Sequence, residues 1–562
     1  MSACRPSHNR LLLIFLTAFL GLAACTPVQY PTEKSPQTTP AAQAPSPLPQ
    51  ANPTPSPTAA LQLPSVRLAE YLPETFLQEL NLPADWTTTQ SQDAAIQIES
   101  GGGGTLLSAW IYALVAPFPS IPDEVGADNL AAFWAGEPPA DYPQIAVLLL
   151  TQETRDMLVP LLGEPSESTV RVLDEGNLLA QSWQTHSGWA IIPFEQLEPR
   201  WKVLAVDGQS PIHKEFDPQS YLLNAPITVK AENASFLEAL QAPKSNRSPD
   251  HLTTVALTGV TALVRATGAL MEIYSVTYPA EQIGDWLRQA DILHINNEVP
   301  FARQCPSARL VVDNTQLVFC SRMEYIELLE AIGTDIVELS GDHFSDWGPD
   351  AVLYTLQLYD ERGWGTYGGG ANIEDARAPY LVEHNGNRMA FLGCNAKPPG
   401  YARASENEPG AYHCDFDYMQ SEIERLRLDG YLPIVTFQHL EYYDYNINPA
   451  LQTDFRRMAT AGAVIVSGSQ AHQPHAVEFS NGAFLHYGLG NLFFDQFYEG
   501  LPTRQATIDR HVFYAGRYIS TELLTIQFID LAQARPMTTA ERQELLEIIF
   551  SRSNWDELSN IN

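Results

Sequence analysis

The chain has 562 residues, of which 45% are hydrophobic. A single hydrophobic core rarely holds so many residues, so we expect two or three folded domains. Asp and Glu number 66 against 32 Lys and Arg, which gives a formal net charge of −34. This charge argues against nucleic acid as a partner, because the phosphates would be repelled. An anionic substrate would need local positive charge, from a metal ion or from arginines.

The first 25 residues are predicted to be an export signal. Arg5 and Arg10 precede the apolar run LLLIFLTAFLGLAAC of residues 11–25, which is too short for a comfortable membrane span. LAAC resembles a bacterial lipobox, and this resemblance implies that Cys25 becomes a lipidated N-terminus after cleavage. The protein would then be extracytoplasmic and lipid-anchored to the bacterial membrane. The alternative is an ordinary secretory peptide with a chance cysteine.

The next two segments differ in composition. Residues 26–65 are rich in Pro, Thr, Ser, Ala and Gln and are predicted to be a disordered tether, because they cannot bury enough apolar area to offset the entropy of ordering. Residues 66–242 mix helical patches with the short apolar strands IAVLLLT, GWAIIPF and WKVLAV. This α/β region resembles a type-2 periplasmic substrate-binding domain, which holds an oxyanion on helix N-termini. The alternative is a degenerate α/β domain kept for packing or partner contact.

A second folded region is predicted over residues 252–535, after a boundary at KSNRSPDH (244–251). Apolar runs such as TTVALTGV, ADILHINNE and LPIVTFQH alternate there with helical segments, which predicts a sheet covered on both faces. Polar clusters follow several of these strands, and sites form at such strand ends in α/β sheets. Residues 536–562 are predicted to form a C-terminal helix, since Thr538 and Glu541 have capping-box spacing.

The polar clusters between residues 252 and 496 carry a recognisable series of motifs. In chain order they contain Gly259 and Arg265, Asn296 and Glu298, Asp342, His343, Asp346 and Gly348, His439, Gly468 and His472, and finally Gly490, Asn491, Phe494 and Asp495. This series resembles the CapA family of capsule and poly-γ-glutamate synthesis proteins, which belongs to the calcineurin-like metallophosphoesterase superfamily. Asp342 differs from the family's pattern, because Gly341 and Asp342 stand where the family has two asparagines. The resemblance implies an α/β fold: a four-layer metallophosphatase-like β-sandwich covered by helices.

The resemblance also implies a two-metal site that activates water for hydrolysis. Two positions depart from it. Val260 stands where the family has a bridging Asp, and Gln470 stands where another His is usual. Valine cannot coordinate a metal, and an amide oxygen is a poorer ligand than imidazole for a transition metal. A complete dinuclear centre is therefore not expected, and the predicted cofactor is one divalent metal (Mn, Zn or Fe) or none.

The remaining motif residues define the predicted site. Its metal ligands would be Glu298, Asp342, His343, His439 and His472. The catalytic candidates are His343, His439 and Glu298, and the substrate-binding candidates are Arg265, Asn296 and Asn491. Arg265 could pair with a carboxylate or phosphate. Of two further histidines near the C-terminal end, His475 is expected at the surface and His486 is expected to be structural.

Four cysteines remain beyond the signal: Cys305, Cys320, Cys394 and Cys414. An even number in an exported chain favours disulfides, with three possible pairings. We expect the local pairing, 305 with 320 and 394 with 414, because each bond would close a short loop and stabilise by roughly 3 kcal/mol. A cysteine metal site is less favoured, because no pair has CxxC spacing.

Two functions follow from these predictions. The first is a cell-envelope protein that makes, anchors or processes an anionic or peptide-like surface polymer, by metal-assisted hydrolysis or transfer, alongside other envelope synthesis proteins. The second is a non-catalytic polymer- or anion-binding protein that kept the fold and lost the chemistry. A solute receptor acting through residues 66–242 is less favoured, because that region lacks clear ligand residues.

Overall fold

The computed structural model describes residues 64–101, 103–185, 188–310, 317–397 and 402–559. The predicted signal, Cys25 and nearly all of the predicted tether lie outside these residues, so they remain predictions. Residues 63–562 form one compact unit. None of the helices in the described ranges combines the length and the apolar composition of a membrane span.

The N-terminal part of this unit is a mixed sheet with helices, in the strand order β2-β1-β3-β10-β4-β8-β6-β7, with β9 pairing β4 and β5. The apolar runs predicted as strands are β6, β8 and β9. The strands are β1 (Ser65–Leu68), β2 (Thr87–Thr88), β3 (Ile96–Ser100), β4 (Thr105–Pro117), β5 (Glu124–Val125), β6 (Val147–Leu150), β7 (Val170–Val172), β8 (Gly188–Pro193), β9 (Trp201–Val206) and β10 (Asn224–Ala231). The helices are α1 (Glu74–Glu79), α2 (Ala127–Ala135), α3 (Gln152–Leu162), α4 (Leu178–Thr185) and α5 (Ala234–Ala239).

From residue 252 onward the chain builds two main sheets, of nine and six strands. Strands of the first half are β11 (Leu252–Leu257), β12 (Val260–Thr261), β13 (Ile292–Asn297), β14 (Phe301–Ala302), β15 (Ser321–Arg322), β16 (Ile336–Glu338), β17 (Gly365–Tyr367), β18 (Gly369–Gly370) and β19 (Tyr380–His384). Strands of the second half are β20 (Asn387–Asn395), β21 (Gly410–Ala411), β22 (Leu432–Gln438), β23 (Ile465–Gly468), β24 (Val477–Ser480), β25 (Ala483–His486), β26 (Asn491–Phe493), β27 (Gln505–Tyr514), β28 (Arg517–Phe528) and β29 (Ala534–Pro536). The helices are α6 (Arg265–Ile273), α7 (Gly284–Arg288), α8 (Ile326–Ala331), α9 (Pro349–Asp360), α10 (Ile373–Arg377), α11 (Phe416–Leu428), α12 (Pro449–Ala461), α13 (Thr539–Arg552) and α14 (Asp556–Ser559).

The nine-stranded and six-stranded sheets form the middle layers of a four-layer sandwich. One sheet has the order β17-β16-β13-β11-β27-β28-β29, with β12 beside β13, and the other has the order β19-β20-β22-β23-β25-β24. Their facing sides meet where the Tyr367 hydroxyl lies 3.0 Å from Thr436 Oγ1. Helices α6 to α9 share a core with the outer face of the first sheet, and α11 and α12 share one with the second. This is the architecture that the family resemblance implied.

The N-terminal sheet packs directly on the sandwich. Phe118, at the end of β4, contacts Phe479 and Phe484 at ring-centroid distances of 5.4 and 5.2 Å. It also contacts Phe550 of α13 at 6.2 Å. The predicted boundary at 244–251 therefore lies inside one compact unit, and the division into separate domains remains a prediction.

Local features predicted for the C-terminal half are present. Cys305 is bonded to Cys320, and Cys394 is bonded to Cys414, which is the expected local pairing. Helix α13 begins with a complete capping box, in which Thr538 and Glu541 each accept the other's backbone N–H. The capping box fixes the start of the helix that packs against Phe118.

Candidate functional site

A cavity of about 960 Å³ opens where parallel strands of both large sheets end. Strands β13 and β16 of the first sheet lead into Glu298, Asp342 and His343, whereas β20, β22 and β23 of the second lead into further polar side chains of the wall. The carboxyl ends of parallel strands share one edge of a sheet, and that edge is where α/β folds place ligand sites. Because the two sheets pack face to face, both edges contribute to one cavity.

Three predicted ligands meet in this cavity. Glu298, Asp342 and His343 each offer one ligand atom, and these atoms lie within 4.8 Å of one another. Their approach depends on Gly341, because a Cβ at that position would lie 2.8 Å from both the Cα and the carbonyl oxygen of Glu298. Glycine thus lets the loop after β16 pass directly against the end of β13.

The carboxylate of Asp342 is held by two donors from the second sheet. Lys397 Nζ lies 2.6 Å from Asp342 Oδ2, and Gln438 Nε2 donates to Asp342 Oδ1 at 2.9 Å. The same ammonium lies 3.4 Å from Glu441 Oε1. Burial opposes the charge of Lys397, but Asp342 and Glu441 outweigh burial and raise its pKa. Lys397 is therefore a charged bridge between carboxylates from the two sheets.

His343 is oriented by a neighbour on its own loop. Its Nδ1 donates to Asp346 Oδ2 at 2.7 Å, and the same oxygen accepts the Phe319 N–H at 2.8 Å. Burial alone would lower the pKa of His343, but the hydrogen bond to Asp346 and the charges of Glu298 and Asp342 raise it to about 9. The ring thus presents its Nε2 side towards the other two ligands while Asp346 holds its Nδ1–H.

His472 is fixed at both ring nitrogens. Nδ1 donates to Asn491 Oδ1 at 2.8 Å, and Nε2 lies 3.2 Å from Glu441 Oε1. Asn491 also donates to the backbone oxygens of His472 and Thr503. Burial opposes protonation, but Glu441 and Glu298 raise the pKa of His472. In return His472 and Lys397 hold the pKa of Glu441 well below its usual range, against the effect of its burial.

Of the two carboxylates in the ligand cluster, Glu298 is more buried than Asp342. Its Oε1 accepts the amide N–H of Gln470 at 2.6 Å. Burial, reinforced by Asp342, raises its pKa to about 7, and His343 and His472 oppose that rise. Gln470, the position predicted to lack a histidine ligand, therefore acts as a hydrogen-bond donor to this carboxyl.

Arg265 lines the cavity but is paired within the protein. Its Nε donates to Asp495 Oδ1 at 2.8 Å, and Asp495 Oδ2 accepts the Ala266 N–H at 2.7 Å. The guanidinium lies over the Phe494 ring, 4.7 Å from its centroid. The pair ties the start of α6 to the segment after β26, and a second ring, that of Phe319, has its centroid 5.7 Å from the guanidinium carbon.

Asn491 supports His472 but does not itself line the cavity, and two further predicted site residues lie away from this wall. Asn296 is buried on β13, where its Nδ2 donates to Glu338 Oε2 at 3.2 Å. His439 follows β22, but its Nε2 lies 2.9 Å from Asp454 Oδ2 and its Nδ1 accepts the Leu440 N–H. The structure thus brings together Glu298, Asp342, His343 and His472, and it does not bring His439 or Asn296 to them.

Two residues of the site were missed by the sequence analysis, and one histidine was placed wrongly. Lys397 and Glu441 both come just after strands, β20 and β22, so the rule that sites form at strand ends was the signal that could have found them. His475, expected at the surface, is 1% exposed and stacks on Tyr442 at 4.1 Å. His486 is buried and its Nδ1 lies 2.6 Å from Asp509 Oδ2, as expected of a structural residue.

The donor set permits a limited fit to a metal ion. Glu298, Asp342 and His343 are compatible with one divalent metal in ligand type and spacing. Val260, at the position of the family's bridging carboxylate, is buried in an apolar cluster with Val299 and Phe494, so this position offers no ligand to a second ion. A single ion would also have to share Asp342 with the Lys397 ammonium at 2.6 Å. The residues in place therefore do not fit a dinuclear centre, and they fit a mononuclear one only if Lys397 moves.

The comparisons with known proteins agree with the motif pattern. Residues 236–496 match the family described as bacterial capsule synthesis protein PGA_cap. The chain is 23% identical over 278 residues to the capsule biosynthesis protein CapA of Bacillus anthracis, which covers 49% of this chain and 67% of that protein. It is 26% identical over 215 residues to the PGA biosynthesis protein CapA of Bacillus subtilis, covering 38% of this chain and 55% of that protein.

Among solved structures, the calcineurin-like phosphoesterase YfkN from Bacillus subtilis is similar with a TM-score of 0.32 and 11% identity, over 55% of this chain and 99% of that one. A likeness with so low a TM-score supports no conclusion about the activity of this chain. The family match, in contrast, spans all the cavity residues from Glu298 to Asp495. It supports the resemblance that the motifs gave for the second folded region.

Proposed function

We propose that this protein acts outside the cytoplasm in the synthesis, anchoring or processing of a capsule- or poly-γ-glutamate-type polymer, and that the cavity binds that polymer. The observation that carries the proposal is the family match over residues 236–496, which contains every strand end that forms the cavity. The two Bacillus relatives are named for capsule and PGA biosynthesis. Lipid anchoring through Cys25 and contact with other envelope synthesis proteins belong to the same proposal.

The wall of the cavity suits a polymer with both charged and apolar parts. Lys397, His343 and Arg265 place cationic donors on this wall of a protein of net charge −34, and an anionic chain would share them with Asp342, Asp346 and Asp495, their partners within the protein. Tyr443 and Tyr498, 57% and 72% exposed, stand at the same cavity and offer ring faces for backbone contact. Cationic groups at this cavity would bind one segment of an anionic polymer, whereas the acidic remainder of the protein would not attract it.

The second candidate is metal-assisted hydrolysis or transfer at the same cavity. The spacing of Glu298, Asp342 and His343 favours it, since these three would hold one Mn, Zn or Fe ion. When bound, such an ion would polarise a phosphoryl or carbonyl oxygen of the polymer. The chain's own residues would orient the reactants: Asp346 holds the ring of His343, and Asn491 holds the ring of His472.

Titration calorimetry with the full purified chain tests the binding proposal. Poly-γ-glutamate should bind, whereas a neutral dextran of similar length should not. Lys397→Met should weaken binding at least about tenfold, because one charge-assisted contact of roughly 1.5–3 kcal/mol is lost. Lys244→Met is the matched control, since this exposed lysine lies away from the cavity.

Two results would contradict the proposal. One is the absence of measurable poly-γ-glutamate binding by the folded chain. The other is an equal loss of affinity in Lys397→Met and Lys244→Met, which would mean that the polymer responds to overall charge and not to the cavity. Release of polymer fragments during the titration would instead support the second candidate.

A further inference from the structure

Lys397 occupies a central place among the carboxylates of the cavity. Its ammonium is 2.6 Å from Asp342 and 3.4 Å from Glu441, and its side chain is 22% exposed. Asp342 is itself one of the three clustered ligands, with Glu298 and His343. A cation of the chain therefore already contacts the group that would receive a metal ion.

Asp342 and Glu298 also accept hydrogen bonds from side-chain amides, which can satisfy a carboxylate when no metal ion is bound. Gln438 donates an amide N–H to the second oxygen of Asp342, and Gln470 donates one to Glu298. Each amide points its hydrogens, not its oxygen, at the carboxylates, and the amide oxygens of both glutamines are buried without a hydrogen-bond partner. Both ligand carboxylates are thus satisfied by N–H groups from the second sheet.

Four carboxylates around the cavity have an opposite charge beside them. Asp342 pairs with Lys397, Asp346 with His343, Asp495 with Arg265, and Glu441 with both Lys397 and His472. Buried ions are stable when they are paired and hydrogen-bonded in this way. A divalent ion would break the pairing, because it must displace the ammonium or lie against it.

We propose that Lys397 is the resident cation of this cavity and that the site functions without a bound metal ion. The single positive charge of the ammonium offsets part of the negative charge of Asp342 and Glu441, in the place where a divalent ion would act. The link to a polymer rests on the proposed function, in which Lys397 faces the anionic chain. The metal-free state itself rests only on the contacts of Lys397.

Metal binding by the wild-type chain and by Lys397→Ala tests this directly. Each is incubated with Mn²⁺, Zn²⁺ or Fe²⁺, desalted, and assayed for metal content and for melting temperature with and without the ion. Wild type should retain no stoichiometric metal, and its melting temperature should not change. Lys397→Ala should bind about one ion per chain and gain several degrees from it, because Asp342 is then free to join Glu298 and His343 as a ligand.

The outcomes separate clearly. Retention of about one ion per wild-type chain, with a rise in melting temperature, overturns the inference whether or not polymer binds. A folded Lys397→Ala variant that takes up no metal also overturns it, since Lys397 would then not occupy a metal position. If that variant folds only when the ion is present, the inference is supported. If it folds in neither condition, the wild-type titration decides, with Lys397→Arg as a variant that keeps the cation and should remain metal-free.

Discussion

At the scale of single residues, the sandwich buries several histidines, among them His294, His475, His486 and His511. His511 on β27 is fully buried and its Nδ1 lies 2.7 Å from Thr521 Oγ1. Burial lowers its pKa to about 4, with Asp509 opposing and His486 assisting that shift. The folded protein therefore keeps this ring neutral at a pH where an unfolded chain would protonate it.

This histidine predicts a loss of stability in acid. Between pH 6.5 and 4 the unfolded chain binds the extra proton, so the stabilisation is complete above pH 6.5 and decreases as the pH falls towards 4. The full effect for one such group is roughly 3 kcal/mol. Urea unfolding of wild type and His511→Gln at pH 7 and pH 5 measures it: the variant should lose less stability on acidification.

The exposed His251 supplies the control for this measurement. His251→Gln should keep the pH dependence of the wild-type chain. The attribution to His511 would fail if the two variants showed the same loss between pH 7 and pH 5.

At the scale of elements, the junction of β13 and β16 sets the geometry of the cavity. Gly341→Ala would place a methyl group 2.8 Å from the backbone of Glu298. Contacts this close do not persist, so the two loops should separate at a cost of about 1–3 kcal/mol. Equilibrium unfolding in guanidinium should report the loss, and affinity for poly-γ-glutamate should fall with it.

Gly176 provides a comparison, because a Cβ there would meet no atom within 4 Å. Gly176→Ala should leave both stability and affinity near wild type or slightly stabilise the chain. Equal behaviour of the two alanine variants would show that the close approach at Gly341 is not a constraint on the site.

The sequence predicted the elements better than it predicted the contacts between them. The apolar runs, the strand-end clusters and the local cysteine pairs depend on residues near one another along the chain, and the structure contains all three. Lys397 and Asp342 are 55 residues apart and come from different sheets. Their pairing depends on how the sheets pack, which no local pattern reports, and the burial of His475 depends on packing in the same way.

At the scale of the whole molecule, one aromatic cluster joins the N-terminal sheet to the sandwich. Phe118 contacts Phe479, Phe484, Phe550 and Trp555. Phe118→Ala would remove most of these contacts and leave a cavity, which typically costs about 3–5 kcal/mol. In differential scanning calorimetry we expect a lower melting temperature and two separated transitions in place of one.

Leu428→Ala serves as the reference for this substitution, because Leu428 is 89% exposed. It should melt as wild type does. A single, unshifted transition in Phe118→Ala would show that the N-terminal sheet and the sandwich do not depend on the aromatic cluster for their cooperativity.

The bridge from Lys397 to Asp342 also constrains how this sequence can diverge. Each partner comes from a different sheet, and each is buried enough that its charge needs the other. A single substitution at either position would leave an unpaired buried charge, which selection would remove. Across homologous chains we therefore expect Lys397 and Asp342 to be kept together or to be replaced together by neutral residues. Where the lysine alone is lost, we expect metal-binding residues beside the aspartate.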